Sequence, residues 1–408
     1  MRILQVNKFF DLQGGAEVYM HGLIDELESR GHVVHAFSTR GVKNIPSRDE
    51  NYFVTRYHLD RPNDPITSLK IAANFIWNFE AKKAFSKMLD DVKPDVIHLH
   101  NIYHYLSTSI LSEIRKRNIP CVQTLHDYAL IAPNYGMFDH GAPCERSKGG
   151  KYYNVILHRC ISNKFSHNAL AAFEMYMIKF RQSYERTVSI FLCPSRFIKE
   201  KMEDWGEPAG KLRYVVAPTD WIDDPAVRGG GYIMFVGRLS VEKGIESFIE
   251  ASSKVPELPV KIAGRGPLEE KLKALVKERG AHHIEFLGFV APAELKKLRH
   301  RAEAIVLPTL SYENASGVVL EGMASGLPCL VTRTGGNPEL VTDGENGFLV
   351  KPGDVDDWVR TIRRFLATPV EVRDQMGAKG RERIRARHLW TDHVDAVMKA
   401  YRDAGARD

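Results

Sequence analysis

LSYENASGVVLEGMASG, residues 310–326, decides how the rest of the chain is read. Two acids in it, Glu313 and Glu321, stand eight positions apart and bracket a short apolar run opened by Ser316 and Gly317. An apolar pattern at 304–308 (AIVLP) leads in and another at 327–331 (LPCLV) leads out, so the order reads strand, loop, helix, strand. A helix starting near Ser316 points its unpaired N–H groups and the positive end of its dipole over the loop, which suits an anion. On an ideal helix this spacing sets the acids roughly 80° apart in direction and about 12 Å apart along the axis. They cannot share one proton, so they are expected to contact different parts of one long ligand.

The length of 408 residues exceeds one ordinary core, and two domains of roughly 200 residues are expected. With 44% hydrophobic and 26% charged residues the composition is that of a globular chain. A net charge of +6 fits anionic ligands or an anionic membrane surface but lacks the density of a nucleic-acid binder. No apolar run approaches the ~18 residues of a spanning helix. The opening MRILQVNKFF runs into a strand with no secretory apolar region. Five scattered cysteines (Cys121, Cys144, Cys160, Cys193, Cys329) fit a reducing compartment. A cytoplasmic two-domain α/β protein is predicted.

Strand patterns at 2–6 and 32–37 flank a helical pattern at 17–29, a βαβ unit that implies a parallel sheet. Gly14 and Gly15 open that helix, where backbone can approach a ligand or make a plain tight turn. A strand near 52–54, one helix over 65–89 and buried strands at 94–101 and 120–127 follow. The last two end in His100 and in His126, Asp127 and Tyr128, at the carboxyl edge where such sheets gather ligands. Hydrogen-bonded loop capping is the alternative for each histidine, and no tight ligand spacing among them supports a metal. Residues 128–186 break the alternation as an insertion, irregular to 160 and then a long helix from 163. Between 140 and 190 eight Lys/Arg face three acids, and Phe165, Phe173, Tyr176 and Phe180 keep helical spacing. That pattern fits either a membrane- or acceptor-facing surface or a core helix with a basic edge.

After strands at 189–194 and 212–218, residues 219–231 (TDWIDDPAVRGGG) have the Pro, Asp and Gly content of a hinge. The boundaries read as 1–218 for the first domain, 219–385 for the second and 386–408 for a final helix free to cross back to the first. The second α/β series opens with a strand at 232–237, followed by Arg238 and Lys243 before the next helix. Two cations at a strand's carboxyl end can straddle a diphosphate, Arg238 bidentate and Lys243 as a point charge, with no divalent ion. Glycine turns at 264–267 (GRGP) and 335–336 share that edge, which suggests a nucleoside diphosphate lying along it.

Glu313-x7-Glu321, VGRLSVEKG, IAGRGP, FLGFV and TGGNPELVTDGENGFLV together resemble the GT-B glycosyltransferases of family 4, the retaining enzymes that use nucleotide-sugars. The first half agrees more loosely through Gly14-Gly15, DVIHLHN and TLHDY. The resemblance implies two Rossmann-like doubly wound domains facing a central cleft. It implies that Arg238 and Lys243 bind the diphosphate, that Glu321 binds ribose and that Glu313 contacts the donor sugar. Backbone N–H groups of Ala315, Ser316, Gly317 and Val318 would hold phosphate or sugar oxygens, with Gly14 and Gly15 closing over them. His126 would sit beside the reacting carbon, and His100, Asp127 and Tyr128 on the acceptor side. The implied acceptor is a glycan or polyprenyl-linked glycan, with peripheral contact at the inner face of the cytoplasmic membrane, and no cofactor or metal. Two departures stand out. Ala132, Ser147 and Val155 replace cysteines of a related insertion, which argues against a metal there. Residues 314–316 (NAS) replace a more usual Gly-Phe-Gly or Asn-Phe-Pro, which points to an unusual donor preference. A scaffold without turnover and a synthase acting on a soluble acceptor are the other readings.

Overall fold

The structure, a computed structural model, describes residues 1–12, 14–57, 65–222 and 224–407. Residue 223 of the hinge stretch and residue 408 of the final segment lie outside the described residues. Short apolar runs bounded by polar turns make two six-stranded sheets. The first contains β1 (Arg2–Val6), β2 (Val33–Phe37), β3 (Val96–Leu99) and β4 (Cys121–Thr124). A two-strand hairpin, β5 (Phe138–Asp139) and β6 (Ala142–Pro143), precedes its last members, β7 (Ile190–Cys193) and β8 (Leu212–Tyr214). The second sheet contains β9 (Ile233–Val236), β10 (Val260–Ala263), β11 (Ile284–Gly288), β12 (Ala304–Leu307), β13 (Cys329–Thr332) and β14 (Gly347–Val350).

Both sheets are parallel throughout, in the orders β2-β1-β3-β4-β7-β8 and β11-β10-β9-β12-β13-β14. Strand order reverses between β1 and β3 in one sheet and between β9 and β12 in the other. Ligands collect at such switch points, outside the carboxyl ends of the strands. The loops after β1, β3, β9 and β12 therefore surround the two crevices, and they carry Lys8, Asn101, Arg238 and the 308–316 stretch.

The final helix, Trp390–Asp403, packs on the first sheet's layer: Val394, Val397 and Tyr401 join a cluster with Ile3, Leu23 and Leu192. Gly22 makes room for it, since a Cβ there would lie 2.5 Å from the Trp390 ring. The chain thus crosses between domains twice. Thr219 N donates to His388 O (2.8 Å), so the outgoing and returning segments run side by side.

The elements differ from expectation in four places. Residues 50–52 form a 3-10 turn, and only a single bridge joins Thr39 to Val54, so no strand forms near 52–54. The helical pattern from 65 breaks into Pro65–Ile76 and Phe79–Val92 because Asn78 caps the second helix, its side chain accepting from Ala81 N at 2.9 Å. The helix of the insertion is shorter, Phe165–Arg181, and stops at Gln182 with φ of 49°. β14 was not anticipated; Gly347 lets it pair closely, since a Cβ there would meet Cys329 O at 2.0 Å. No described helix is long and apolar enough to cross a membrane.

Glycine substitutions separate two costs. Gly280 has φ of +62° and open space around a Cβ, whereas Gly264 has φ of +142° and a Cβ there would lie 1.8 Å from Gly237 O. In urea unfolding, Gly280→Ala is expected to lose about 1–2 kcal/mol from left-handed strain alone. Gly264→Ala is expected to lose more than roughly 3 kcal/mol, because two strand-end backbones must part. Equal losses would show that the backbones at β9 and β10 are not in contact.

Candidate functional site

On the second domain, Lys243 ends a 3-10 turn and its Nζ lies 2.6 Å from Oε1 of Glu313. The two loops are joined by backbone as well. Glu242 O accepts from Leu310 N (2.8 Å) and from the Thr309 hydroxyl (3.0 Å). Arg238, at the end of β9, is exposed and has no ion-pair partner among the described residues. Glu321 pairs with Arg299 of the helix Pro292–Arg301, so its carboxylate is already engaged, although the residue remains exposed. Ser316 is the N-cap of the helix Gly317–Ala324 but makes no side-chain cap bond. The N–H groups of Gly317 and Val318 are left without helical acceptors, and the space around Gly317 is open.

The glycine pair at 335–336 does a different job from the one expected. A Cβ on Gly335 would lie 2.1 Å from Glu313 O, and one on Gly336 would lie 2.1 Å from Asn314 O. Gly336 N donates to Glu313 O at 2.6 Å. These glycines carry the backbone of the 313–314 loop. Gly264 likewise sits on Gly237 and Gly266 on Leu239, where a Cβ would meet backbone oxygens at 1.8 and 2.3 Å. The glycine-rich edge is made by loops packed on loops.

On the first domain, Gly14 is the N-cap of the helix Gly15–Ser29, both glycines are exposed, and nothing approaches a Cβ built on Gly15. His126 is half-buried at the end of β4. Burial, with Lys8 nearby as the lesser cause, pushes its pKa down to about 3, so the ring is neutral at physiological pH. Asp127 accepts from the Tyr103 hydroxyl and from Ala129 N (2.9 Å), and burial raises its pKa. His100 and Tyr128 are buried. His100 Nδ1 lies 3.0 Å from Nε2 of His126, and Tyr128 packs on Tyr312 (ring centroids 6.2 Å apart).

Lys8, a lone basic residue in the turn after β1, joins the site without any motif to mark it. Its ammonium lies 3.8 Å from the centre of the Tyr103 ring. Desolvation lowers its pKa to about 8, and the charges of Asp127 and then Glu17 oppose that fall. Position at a switch point was the only available signal.

The domains touch through the 312–314 loop. Asn314 Nδ2 donates to His126 O (2.8 Å), and the Tyr312 hydroxyl donates to Glu145 (2.8 Å). Asn314 thus turns its amide toward the other domain. Closer to the linkers, Glu339 accepts from Arg196 N and Phe197 N at 2.8 and 2.7 Å. A cavity of about 520 Å³ lies on that side, bounded by Ser195, Asn314, Glu339, Arg383 and His388. Arg238, Lys243 and His126 do not line it. The helix Phe165–Arg181 buries Ala171, Ala172, Met175 and Ile178, and leaves Phe165, Phe173, Tyr176 and Phe180 exposed. The aromatic stripe is a surface, not core. Among the described residues the one cluster of metal-ligand type is Asp139, Cys144 and Cys160. Arg146 (2.6 Å) and His140 (2.7 Å) already pair with Asp139 there.

Comparison with known proteins bears on both halves. Residues 13–220 match the profile described as Glycosyltransferase Family 4, and residues 223–383 match that of Glycosyl transferases group 1. A mannosyltransferase of Mycolicibacterium hassiacum, named MMP alpha-(1->4)-mannosyltransferase, is 26% identical over 97% of this chain and 96% of its own. A protein from the cps region of Klebsiella pneumoniae is 25% identical over 92% of this chain and 94% of its own. The sulfoquinovosyl transferase of Arabidopsis thaliana is 36% identical, but over only 37% of this chain and 29% of its own. Two other relatives, both from Methanocaldococcus jannaschii, are likewise matched over 45% and 59% of their lengths. Among solved structures, sucrose-phosphate synthase from Thermosynechococcus elongatus superposes with a TM-score of 0.73 at 20% identity, over 98% of both chains. Anabaena HepE in complex with UDP-glucose does so with a TM-score of 0.67 at 16% identity, over 99% and 100%. These likenesses show the fold.

The Lys8 environment gives a direct titration. By carbon-detected NMR of labelled lysine, Lys8 is expected to titrate near pH 8, well below the ordinary lysine range. Asp127→Asn removes the largest charge that opposes the fall, so the midpoint should move lower still. A midpoint that rises, or stays at the ordinary lysine value in the parent protein, would refute this placement.

Proposed function

Because the chain belongs to glycosyltransferase family 4, we propose that it moves a hexose-type sugar from a nucleoside diphosphate donor to a glycan or polyprenyl-linked glycan. The reaction retains the anomeric configuration and needs no divalent metal. UDP is the favoured nucleotide and GDP the next, a choice supported by the UDP-glucose bound to the fold relative HepE. One observation carries the reading: Lys243 paired to Glu313, Arg238 with no ion-pair partner among the described residues and the open start of the helix Gly317–Ala324 share the second sheet's switch-point edge. Residues from the first domain's carboxyl edge reach this loop, since His126 O holds Asn314.

The chemistry follows from charge. As the bond from the sugar's anomeric carbon to the phosphate oxygen breaks, negative charge grows on the diphosphate. Arg238, Lys243 and the N–H groups at 317–318 offset it without a metal ion. The acceptor oxygen forms its bond to the same face, and its proton passes to the departing phosphate oxygen. Glu313 holds donor hydroxyls and is not a covalent nucleophile. The ribose falls to Glu321, which must share its carboxylate with Arg299. A neutral His126 can orient a hydroxyl but brings no positive charge.

The acceptor side is read from the insertion. Phe165 and Phe180 are 68% and 84% exposed, and Leu157 of the neighbouring short helix is 70% exposed. Lys151, Arg159 and Lys164 lie close in sequence and make no ion pairs among the described residues. Apolar tips flanked by cations suit a membrane carrying anionic lipid at the cytoplasmic face, where a polyprenyl-linked acceptor would be presented.

A screen of UDP- and GDP-sugars by thermal shift selects the donor through ligand-linked stabilisation, and product NMR reads the anomer. Transfer is expected to survive EDTA, and Lys243→Ala is expected to lower kcat/KM roughly 10²- to 10³-fold. An inverted product, a glycosyl adduct on Glu313 or a block by EDTA would each sink part of the proposal. A donor that binds tightly but is never transferred or hydrolysed would indicate a scaffold.

Co-sedimentation tests the surface. Wild type is expected to bind vesicles containing anionic phospholipid at low salt, and Phe180→Asp to lose most of that binding without changing donor stabilisation. Equal binding by the two proteins would count against membrane docking through this helix.

A further inference from the structure

A run of buried hydrogen bonds leads away from His126. His126 Nε2 lies 3.0 Å from Nδ1 of His100, whose Nε2 is 2.8 Å from Oε1 of Gln5. Gln5 Nε2 donates to the Tyr401 hydroxyl (3.3 Å), and that hydroxyl lies 2.7 Å from Nδ1 of His98. His98 Nε2 meets Oγ1 of Thr124 at 2.8 Å, and Thr124 lies 3.5 Å from the Tyr19 hydroxyl. Tyr19 reaches Nε2 of His393 at 2.8 Å, and His393 Nδ1 ends on Val216 O at 2.7 Å. The run starts at the cleft wall and ends beside the hinge. Tyr401 and His393 both come from the final helix, Trp390–Asp403.

Counting protons gives the run a direction. A carbonyl oxygen only accepts, so His393 carries its proton on Nδ1 and accepts at Nε2 from Tyr19. Tyr19 then has no second proton, and its oxygen accepts from Thr124. Thr124 is committed in turn, so His98 donates from Nε2 and accepts at Nδ1 from Tyr401. The Tyr401 oxygen accepts from the Gln5 amide, whose carbonyl accepts Nε2–H of His100. That leaves His100 Nδ1 as a lone pair, and His126 must fill it with Nε2–H. Burial keeps these rings neutral: His98 and His100 are held well below the ordinary range, and His393 is pushed down to about 4. The longest link, Thr124 to Tyr19, is where the order can turn over. If Thr124 instead gave its proton to His98, every link up to His126 would reverse, with the Gln5 amide flipped.

We infer that the final helix, through His393 and Tyr401, holds His126 in its Nε2-protonated neutral tautomer, leaving Nδ1 as a hydrogen-bond acceptor for a substrate hydroxyl. His126 is half-buried, and its Nδ1 has no partner among the described residues. The ring therefore orients a hydroxyl by accepting from it, and a donated N–H toward the cleft is excluded. His100, Tyr401 and His393 are positioning residues. The consequence for turnover rests on the transferase reading above, whereas the tautomer does not.

Long-range proton–nitrogen correlation NMR on nitrogen-15-labelled protein, with His126 assigned by His126→Gln, reads the tautomer without any substrate. Wild type is expected to show a bare Nδ1 and a protonated Nε2 at neutral pH. A ring protonated on Nδ1, or on both nitrogens, overturns the inference whether or not sugar is transferred. Tyr401→Phe keeps the buried ring but removes the oxygen between Gln5 and His98, so it should leave a mixture of both tautomers at His126. With it kcat should fall roughly ten- to hundredfold, as when an orienting partner is lost, while donor KM stays within about twofold. A single Nε2-protonated tautomer with unchanged kcat in this variant overturns the coupling. Should Tyr401→Phe not fold, Thr124→Val cuts the same run at its middle and carries the same two outcomes. A wild type that shows the expected tautomer yet transfers nothing would fail the proposed function and leave the relay standing.

Discussion

The hydrogen bond from Thr219 N to His388 O fixes how the two halves can meet. Each sheet has its own strands and its own switch point, and the first also packs the final helix, Trp390–Asp403, into its core. The chain nevertheless leaves the first domain once and returns once, and both crossings lie side by side. His388 Nδ1 also meets Ala217 O at 2.8 Å, so the returning segment is held at two consecutive points of the outgoing strand's extension. With both connections at one seam, the domains can turn about it but cannot slide far along it. The carboxyl edges of two parallel sheets are thereby kept facing across one cleft. Helix starts and strand ends point the same way in each half, so the seam brings two sets of N–H groups and basic side chains to one space.

Charge in that space is partly satisfied before any ligand arrives. Lys243 holds Glu313 and Arg299 holds Glu321, so neither acid waits as an uncompensated charge. A diphosphate bound as proposed would draw Lys243 away from, or share it with, Glu313, and that acid would then face the sugar. Opposite charges already 2.6 Å apart keep both side chains placed, and a ligand bearing phosphate on one side and hydroxyls on the other can use both at once. Arg238 has no ion-pair partner among the described residues and stays exposed at the end of β9. Across the cleft Lys8 is weakened as a cation by burial even though Asp127 lies near. The strong cations thus sit on the second domain, where leaving-group charge would develop.

Much of this was legible in the chain because periodicity and loop chemistry are local. Apolar runs of four or five residues separated by helical patterns reported both sheets, and Arg238, Lys243, Glu313 and Ser316 sit on loops whose position follows from the strands. β14 escaped because only a single helical turn, Asn337–Leu340, and the turn DGEN separate it from β13, and its pairing depends on Gly347 lying against Cys329. The helix break at Asn78 required a cap bond that an uninterrupted apolar pattern hides. Burial was the property least visible. His100 and Tyr128 look like loop ligands at strand ends, yet both lie beneath the surface they were expected to form. The aromatic stripe of the insertion was ambiguous for the converse reason, since exposure depends on which face the neighbouring helices cover. His98 and Tyr401 meet from 303 positions apart, and Tyr19 and His393 from 374, distances over which no spacing rule speaks.

Asn314 joins these threads. The departure at 314–316 suggested donor preference, but the Asn314 carboxamide reaches across the cleft to the backbone oxygen of His126. Its own oxygen is buried without a partner among the described residues, a cost of about 1–3 kcal/mol in a rigid site. Glu313 stands next to it on the same backbone, and Gly335 and Gly336 press against both residues from below. The loop therefore has little freedom to move one residue without the other. Turning the domains about the linker seam shifts His126 relative to Asn314, and the strain passes to Glu313 and on to Lys243. The acid that would hold the sugar and the amide that holds the other domain are one mechanical unit. Cleft geometry and donor placement are set together, by a loop whose backbone only glycine neighbours could carry.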